Sequence, residues 1–503
     1  MEQQPRPMYL LVFLVFLFVT FTVYGNTFLN EWTYDDVPVI VENTDVHSLR
    51  GFIEDSRPGR PLRELTYVID YRLFGDKPAG YRIQQLAWHA ANGYLIFLVL
   101  VLVGLKPLHA LIGGTFFLVH PLQVESVANI SHRKELLALF FSLSSLLAYS
   151  RAALASGGKR LGFLVLAVLC FATALLANQT AVTFPVVVIL FEYLFLGKER
   201  RILLAFPRLL AIVSLAVGSC FLYLNRGLFT IEQVWNVYSK NNFGASESYY
   251  PLFMGVMRSF GFYLGKIAAP VNLAPEYAIT FSEALFQPLG VLGMVLLAGL
   301  LLATVALMRS RAVAAFGIGC FLILYLPVSN LVPAGYMVAD RYMYMPLAGV
   351  AIVIAWGAAR IPNARALAAC CGLLAVLALL SVVQNGHWRD EHTLWRHAAR
   401  VNPDSTWARE SAAYSYYLKG DYGTARLHAR KALEINRYNT KAYLVLARIE
   451  EARGDIREAA RNYEMFQSVG EVEYPDLVKE VRLHLPVLQE RIRILEGARS
   501  ETR

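Results

Sequence analysis

Residues 288–308 read PLGVLGMVLLAGLLLATVALM, a run of 21 residues without a charged side chain. An apolar run of about 20 residues is long enough to cross the hydrocarbon core of a bilayer as an α-helix. Similar runs recur along most of the chain, so we predict an all-α polytopic membrane protein with about eleven spanning helices. The predicted spans are 8–25, 84–105, 108–121, 134–150, 161–177, 180–196, 203–224, 288–308, 312–328, 343–359 and 365–384.

Charged residues are distributed unevenly along the 503 residues. From Asn385 to Arg503, 20 Lys/Arg and 18 Asp/Glu make 32% of the residues charged, whereas 12% of the first 384 are charged. Soluble domains average about 25%. We therefore predict a membrane domain at 1–384 and a polar domain at 385–503. A soluble enzyme, a disordered chain and a disulfide-stapled secreted domain are excluded. The five cysteines lie in apolar runs without zinc or redox spacing.

Short basic loops predict the orientation of the spans, because Lys and Arg are retained on the cytoplasmic side. The segment 254–287 contains prolines and charges, so we interpret it as a re-entrant or interfacial element on the outer side. The amino terminus is then cytoplasmic and the polar domain extracytoplasmic. The basic loops carry Lys106, Arg151, Lys159, Arg160, Lys198, Arg200, Arg201, Arg309, Arg311, Arg360 and Arg365.

The polar domain shows an internal period of 34 residues. Gly420 and Gly454 have this spacing, and so do Ala413 and Ala447. Asp421 with Asp455 and Ala425 with Ala459 follow the same period. Small residues at fixed helical offsets with this period are typical of tetratricopeptide repeats. We predict about two and a half repeats and a final helix, with generic helical hairpins as the alternative. Such repeats bind polypeptides rather than carry out chemistry.

Two adjacent carboxylates, Asp35 and Asp36, lie in the predicted outer loop 26–83, shortly after the first span. Like charges this close raise each other's pKa, and a general base needs a carboxylate held near its acceptor. The alternatives are a solvated acid or a helix cap. The two residues are therefore candidate catalytic groups.

The loop His120–Glu135 between two predicted spans mixes acids, bases and histidines. Charges this near to hydrocarbon are costly and by default functional. Arg133 could hold a phosphate with its planar fork, and Lys134 could do so as a point charge. The candidate residues here are His120, Glu125, His132, Arg133, Lys134 and Glu135.

A third polar segment, 333–346, enters the predicted span 343–359 and contains Asp340, Arg341 and Tyr342. A local ion pair and an interfacial aromatic belt would also explain these residues. The sequence has no P-loop, no GxSxG or HExxH motif, and no GxGxxG in a strand–turn–helix context. An outward membrane site with acids and bases but no nucleotide motif is suited to a lipid-linked donor.

Taken together, ordered motifs across residues 8–465 make the chain resemble the transmembrane and tetratricopeptide-repeat O-mannosyltransferases (TMTC type), within the GT-C class of glycosyltransferases. The motifs are Tyr34-Asp-Asp-Val, Asn43-Thr-Asp-Val, Arg60-Pro-Leu, Leu65-Thr-Tyr, Tyr71-Arg-Leu-Phe-Gly75, Trp88-His-Ala-Ala-Asn92, His120-Pro-Leu-Gln-Val-Glu-Ser-Val127, His132-Arg-Lys-Glu-Leu136, Val182-Thr-Phe-Pro185, Pro327-Val-Ser-Asn-Leu331 and Ala339-Asp-Arg-Tyr-Met-Tyr-Met-Pro346.

The chain departs from this family at three places. Asn178-Gln179 is neutral where relatives often carry Lys-Glu, and His132–Glu135 replaces a frequent Gly-Arg-Ala-Asp. The repeat array is also shorter than in animal members. A bacterial inner-membrane protein with periplasmic repeats is therefore favoured over one of the endoplasmic reticulum.

The resemblance implies an inverting transfer of a mannose-like sugar from a polyprenyl or dolichyl phosphate to a Ser/Thr hydroxyl of an extracytoplasmic protein. It implies Asp35 as the base, with Asp36 as second choice, and no further cofactor; metal dependence is left open and no metal site is predicted. The implied phosphate ligands are Arg133, Arg341, Lys134 and Arg258. The implied supporting residues are His120, Glu125, His132, Glu135, Asp340, Tyr342 and His89.

Two other functions remain open at this stage. One is a GT-C enzyme with a glycan or lipid acceptor, and the other is a non-enzymatic scaffold whose repeats recruit partners. The expected partners are membrane lipid, the lipid-linked sugar and an acceptor polypeptide. The net charge of +9 does not require nucleic acid, because the excess lies in short loops between apolar runs.

Overall fold

The computed structural model describes residues 6–54, 59–197, 205–224, 249–278, 287–331, 337–361, 363–471 and 474–501. Within these ranges all regular secondary structure is helical. The chain divides into two compact units, one of Met1–Pro275 with Ile279–Asp390 and one of Glu276–Ala278 with Glu391–Arg503. The boundary predicted after residue 384 falls inside the helix Ala364–His387, and the division comes after Asp390.

The first unit is a bundle of apolar helices connected by short turns. Its helices are α1 Arg6–Tyr24, α2 Leu49–Glu54, α3 Pro61–Phe74, α4 Pro78–Leu102, α5 Pro107–Val119, α6 Val124–Ala128, α7 Arg133–Leu154, α8 Gly157–Ala177, α9 Phe184–Phe195, α10 Ala205–Leu224, α11 Tyr249–Ala268, α12 Pro288–Leu307, α13 Ala312–Tyr325, α14 Leu347–Ala358 and α15 Ala364–His387.

Local sequence explains where many of these helices begin and how they pack. Helices α3, α4, α5 and α12 start with proline, whose fixed φ suits the first turn and whose missing N–H would have no partner there. Glycine allows α13 and α14 to approach closely. A Cβ on Gly349 would lie 2.3 Å from the backbone nitrogen of Phe321, so only glycine fits this crossing.

Each predicted span coincides with an apolar helix, and the protein is an integral membrane protein. Among the described residues, six helices are long and apolar enough to cross a bilayer. A seventh crossing is possible if Pro107–Val119 and Pro121–Ala128, which are bent by 53°, form one broken span. The remaining apolar helices are shorter, so eleven crossings stay a prediction. The basic residues Lys198, Arg200 and Arg201 lie outside the described residues, as do residues 225–248.

Two of the basic loops predicted to be cytoplasmic lie side by side. The guanidinium carbons of Arg311 and Arg360 stand 5.7 and 3.7 Å from the ring centre of Trp356. The loops after α12 and α14 are therefore at the same end of the bundle, as an even number of crossings between them requires.

Buried polar contacts fasten the outer loop to the bundle. Arg82 on α4 is fully buried and donates to the carbonyl oxygens of Asn30 at 2.7 Å and Glu31 at 2.8 Å. Asn385, near the end of α15, donates to the carbonyl oxygen of Val23 at 2.9 Å. These bonds satisfy backbone groups that would otherwise be unpaired where α1 leaves the bundle.

In its described residues the second unit has six helices, and the 34-residue spacing of its sequence has structural counterparts. Gly420 and Gly454 both have positive φ, +78° and +82°, at the ends of helices. Asp421 and Asp455 then cap the next helices through the N–H groups of Thr424 and Glu458. The tetratricopeptide assignment itself stays a prediction. The helices are α16 Glu391–Val401, α17 Thr406–Leu418, α18 Tyr422–Ile435, α19 Thr440–Ala452, α20 Ile456–Gly470 and α21 Pro475–Glu501.

Candidate active site

A cavity of about 540 Å³ lies in the first unit where five segments of the chain meet. Segments that are far apart in sequence supply its lining: the residue before α3, the start of α7, the turn before α9, the end of α13 and the turn before α14. Four of the predicted site residues are among the lining residues, namely Lys134, Glu135, Arg341 and Tyr342.

The lining carries an excess of positive charge. Arg60, Lys134 and Arg341 face one carboxylate, Glu135, whose Oε1 lies 3.7 Å from the Lys134 Nζ. Lys134 pairs with Glu135, and Arg341 pairs with Glu125 behind the lining, so three basic residues are opposed by two carboxylates. The remaining positive charge would attract an anionic ligand, since the Coulomb energy of such contacts is larger away from bulk water. The remaining lining is neutral or apolar and includes Leu324 and Met345.

Arg341 is held in place by Glu125. Glu125 Oε2 accepts from the backbone N–H of Arg341 at 2.7 Å, and Oε1 accepts from Nη1 at 2.6 Å. Both side chains are buried, at 7% and 1% exposure. Burial disfavours the charge, yet Glu125 and nearby tyrosines raise the pKa of Arg341 well above its ordinary value. The predicted supporting residue Glu125 thus orients a predicted phosphate ligand.

The two adjacent acids follow a residue with an unusual backbone conformation. Tyr34 adopts φ +57°, an unusual value for a residue other than glycine, immediately before Asp35 and Asp36. Its buried ring lies 6.1 Å from the ring of His132. Backbone strain of this kind persists where the surroundings enforce it, and it is concentrated at functional sites.

Asp35 is the accessible member of the pair, with 43% of its side chain exposed. Its Oδ2 lies 3.7 Å from Nε2 of the fully buried His132, too far for a hydrogen bond. Burial raises the pKa of Asp35, but His132, Arg341 and Lys134 together lower it to about 2. Asp35 is therefore an ionised carboxylate under the electrostatic influence of Arg341 and Lys134, although it is not among the residues that line the cavity.

Asp36 has a different environment. Its side chain is fully buried, and Oδ1 accepts from the backbone N–H of Ser131 at 2.7 Å. Burial raises its pKa to about 7, although Arg82 and the backbone of Ser131 act in the opposite direction. Asp36 therefore joins the outer loop to the segment before α7. A buried carboxylate is not accessible to a substrate, so the structure does not support Asp36 as a base.

Mouse protein O-mannosyl-transferases are similar to this chain over most of its length. The mouse protein O-mannosyl-transferase TMTC4 is 25% identical over 461 residues, which cover 78% of this chain and 62% of the relative. Mouse TMTC3 is 23% identical over 517 residues, which cover 89% and 53%. The chain's homologues are TMTC-type protein O-mannosyl-transferases. This confirms the resemblance predicted from its motifs.

The chain spans only about half to three fifths of the length of these relatives. No model of a known protein family matches it. Among solved structures, ArnT from Cupriavidus metallidurans bound to undecaprenyl phosphate is 13% identical, with a TM-score of 0.45. That similarity covers 92% of this chain and 80% of ArnT.

Arg133, a predicted phosphate ligand, does not reach the cavity. It is fully buried, and its guanidinium donates to Asp70 Oδ2 at 2.5 Å, Gln85 Oε1 at 3.1 Å and Thr66 Oγ1 at 3.0 Å. A further bond goes to the carbonyl oxygen of Tyr81 at 2.9 Å. All three guanidinium nitrogens are thus occupied, so Arg133 connects α3, α4 and α7 instead of binding a ligand.

The other predicted residues have positioning or separate roles. His89 contacts the Tyr344 hydroxyl at 2.9 Å and the Leu118 carbonyl at 3.1 Å. His120 contacts the Ile267 carbonyl at 3.1 Å. Both histidines are fully buried. Asp340 is buried beside the cavity segment, and Arg258 lies on α11; neither is among the lining residues.

Five polar lining residues were not predicted as site residues. Arg60, Asn178, Gln179, Thr180 and Asn330 line the cavity. Arg60 and Asn330 belong to motifs that carry the family resemblance, so a signal was present for them. Asn178 and Gln179 were recognised only as departures from the family, and nothing in their spacing indicated a cavity.

Proposed function

We propose that the protein is a polyprenyl-phosphate-sugar-dependent glycosyltransferase of the GT-C class. It transfers a mannose-like sugar to a Ser/Thr hydroxyl of an extracytoplasmic protein. The observation that carries this proposal is the cavity lined by Arg60, Lys134 and Arg341, two of which act electrostatically on the ionised Asp35 carboxylate. The homologues named protein O-mannosyl-transferases support the choice of sugar and acceptor.

In the proposed reaction the acceptor hydroxyl loses its proton to Asp35 as its oxygen attacks the anomeric carbon of the sugar. The bond between that carbon and the phosphate oxygen breaks, and its electron pair leaves with the polyprenyl phosphate. Inversion follows from a single displacement. The low pKa of Asp35 keeps it ready to accept a proton at neutral pH, although proton transfer to it is less favourable than to a group with pKa near 7.

Arg341 and Lys134 would bind the phosphate during this step. Negative charge develops on the phosphate as the sugar leaves, and fixed cations aimed at that position lower the barrier without reorganising. Glu125 fixes the Arg341 guanidinium, so the phosphate would bind to a group that is already oriented instead of to a mobile side chain. A lipid phosphate at headgroup depth would enter sideways from the bilayer.

The polar domain would hold the acceptor polypeptide. Helical repeats offer grooves to extended peptides, which separates acceptor choice from the chemistry in the membrane domain. We place the protein in a bacterial inner membrane with periplasmic repeats; in a eukaryote the endoplasmic-reticulum membrane would be the equivalent.

The test is transfer by the purified protein from polyprenyl-phosphate-linked mannose to candidate periplasmic proteins, followed by intact mass. A gain of one hexose per modified site is expected, and Asp35→Asn should abolish it. A sugar found only on lipid or glycan would replace the protein acceptor with the alternative one. Absence of transfer, together with normal cellular function of Asp35→Asn, would favour the scaffold.

A further inference from the structure

Arg60 stands at the entrance to α3, directly before Pro61, in the predicted outer loop. It lines the same cavity as Lys134 and Arg341. The three cations come from chain segments more than 70 residues apart, so only the tertiary fold brings them to one space.

Neighbouring arginines each make side-chain hydrogen bonds within the protein, although the Nε atoms of Arg63 and Arg82 are buried without a partner too. Arg63 donates to the carbonyl oxygen of Ser131 and to Glu64, both at 3.4 Å. Arg82 and Arg133 are bonded as described above. The Arg60 side chain, by contrast, makes no hydrogen bond or ion pair with any residue in the described part of the chain, and its Nε is buried.

An unpaired buried donor is unfavourable, so an incoming acceptor would recover free energy. The positive charge of Arg60 is only partly balanced by nearby carboxylates. Burial and the nearby Arg63 lower its pKa, while Glu135 and Glu64 act in the opposite direction. An anion in the cavity would be attracted by Arg60 as well as by Lys134 and Arg341.

We propose that Arg60 binds the phosphate of the lipid donor and binds it more strongly once the sugar has left. This inference rests on the proposed function. The donor is a phosphodiester with one negative charge, whereas the departing polyprenyl phosphate is a monoester with a charge near −2 at neutral pH. A third cation therefore favours the developing phosphate over the ground state, which is the condition for accelerating the step.

The experiment measures binding of undecaprenyl phosphate and of undecaprenol to the full-length protein in nanodiscs. We expect Arg60→Gln to weaken undecaprenyl phosphate binding by about tenfold to a hundredfold, the range of one charge-assisted hydrogen bond. Undecaprenol binding should be unchanged. Arg60→Lys should recover part of the affinity, because it keeps the charge but loses the fork. In turnover, Arg60→Gln should lower kcat more than it raises KM for the donor.

Arg50→Gln is the matched control, since Arg50 lies in the same loop with 84% of its side chain exposed and pairs with Glu54. It should bind as the wild type does. Equal affinity of Arg60→Gln and wild type for undecaprenyl phosphate would overturn the role of Arg60 while leaving the proposed function intact. If the wild type binds undecaprenyl phosphate no better than undecaprenol, the proposed function fails as well.

Discussion

Glu125 accepts two hydrogen bonds from Arg341, one from its backbone N–H at 2.7 Å and one from its Nη1 at 2.6 Å. The two residues are 216 positions apart, and both are buried. One carboxylate thereby sets both the path of the backbone before α14 and the direction of a cation in the cavity. The contact links the fold of the bundle to the geometry proposed for phosphate binding.

Breaking this pair should destabilise the protein. Glu125→Gln leaves a buried guanidinium without its counter-charge, and loss of one partner of a buried pair costs about 3–5 kcal/mol. We expect a clear fall in thermal stability in detergent, with partial recovery in Glu125→Gln/Arg341→Gln. Glu490→Gln, which removes an exposed pair with Arg493, should change little. If Glu125→Gln is as stable as the wild type, the Glu125–Arg341 pair does not contribute to stability.

Asp35→Asn and Asp36→Asn should differ in activity. Asp35→Asn removes the accessible carboxylate, so transfer should fall by about 10²–10⁴-fold, the range typical of general base catalysis. Asp36→Asn can still accept from the Ser131 N–H through Oδ1 and should retain most of the activity. The measurement is the initial rate of sugar transfer by each of the two variants and by the wild type. Full activity of Asp35→Asn would remove Asp35 from the mechanism.

Arg133 and Arg341 should fail in different ways when replaced by alanine. Arg133→Ala leaves Asp70 buried without its partner and should lower stability by about 3–5 kcal/mol. Arg341→Ala should in addition weaken binding of the phosphate lipid, and Arg341→Lys should weaken it less. Measurements of unfolding and of lipid binding on the same samples separate the two. Specific loss of lipid binding in a stable Arg133→Ala would refute the assignment of Arg133 to the bundle.

Asp36 should make stability depend on pH. Its folded pKa of about 7 lies above the ordinary value of 3.8, so the folded state retains a proton that the unfolded chain loses. The associated stability is present below 3.8 and is lost as pH rises through about 7. Asp36→Asn should flatten this part of the profile, as measured by thermal unfolding from pH 4 to 8. Parallel profiles for the two proteins would show that Asp36 does not carry the raised pKa.

The carboxyl terminus should lie outside the cytoplasm. The prediction rests on the retention of basic loops on the cytoplasmic side and on an odd number of membrane crossings between the amino terminus and the polar domain. A reporter that is active only in the cytoplasm should be silent when fused after Arg503 and active when fused in the loop after α12. A strong signal from the carboxyl-terminal fusion would reverse the topology.

The positions of the apolar helices were predictable from the sequence, because backbone groups in hydrocarbon must bond within their own segment. The places where two of these helices are interrupted were harder to predict. Helix α5 ends at Val119 and turns by 53° into the next segment, and α14 begins at Leu347 after a turn at Asp340–Met343. At the first place the two helices together are still apolar enough for one span, so hydropathy does not show where the helix axis breaks.

The sequence by itself determined that this chain is helical, lies in a membrane and has homologues among the protein O-mannosyl-transferases. Only the tertiary structure decided which charged residues share a cavity. Arg133 and Lys134 are adjacent but differ by about 100° around the helix, so one joins Asp70 in the bundle and the other lines the cavity. Likewise, Asp35 and Asp36 both follow the turn at Tyr34, yet Asp35 is accessible and Asp36 is buried. Residue type sets what each group can bind, but its partner comes from distant segments, and their arrangement is a property of the packed fold.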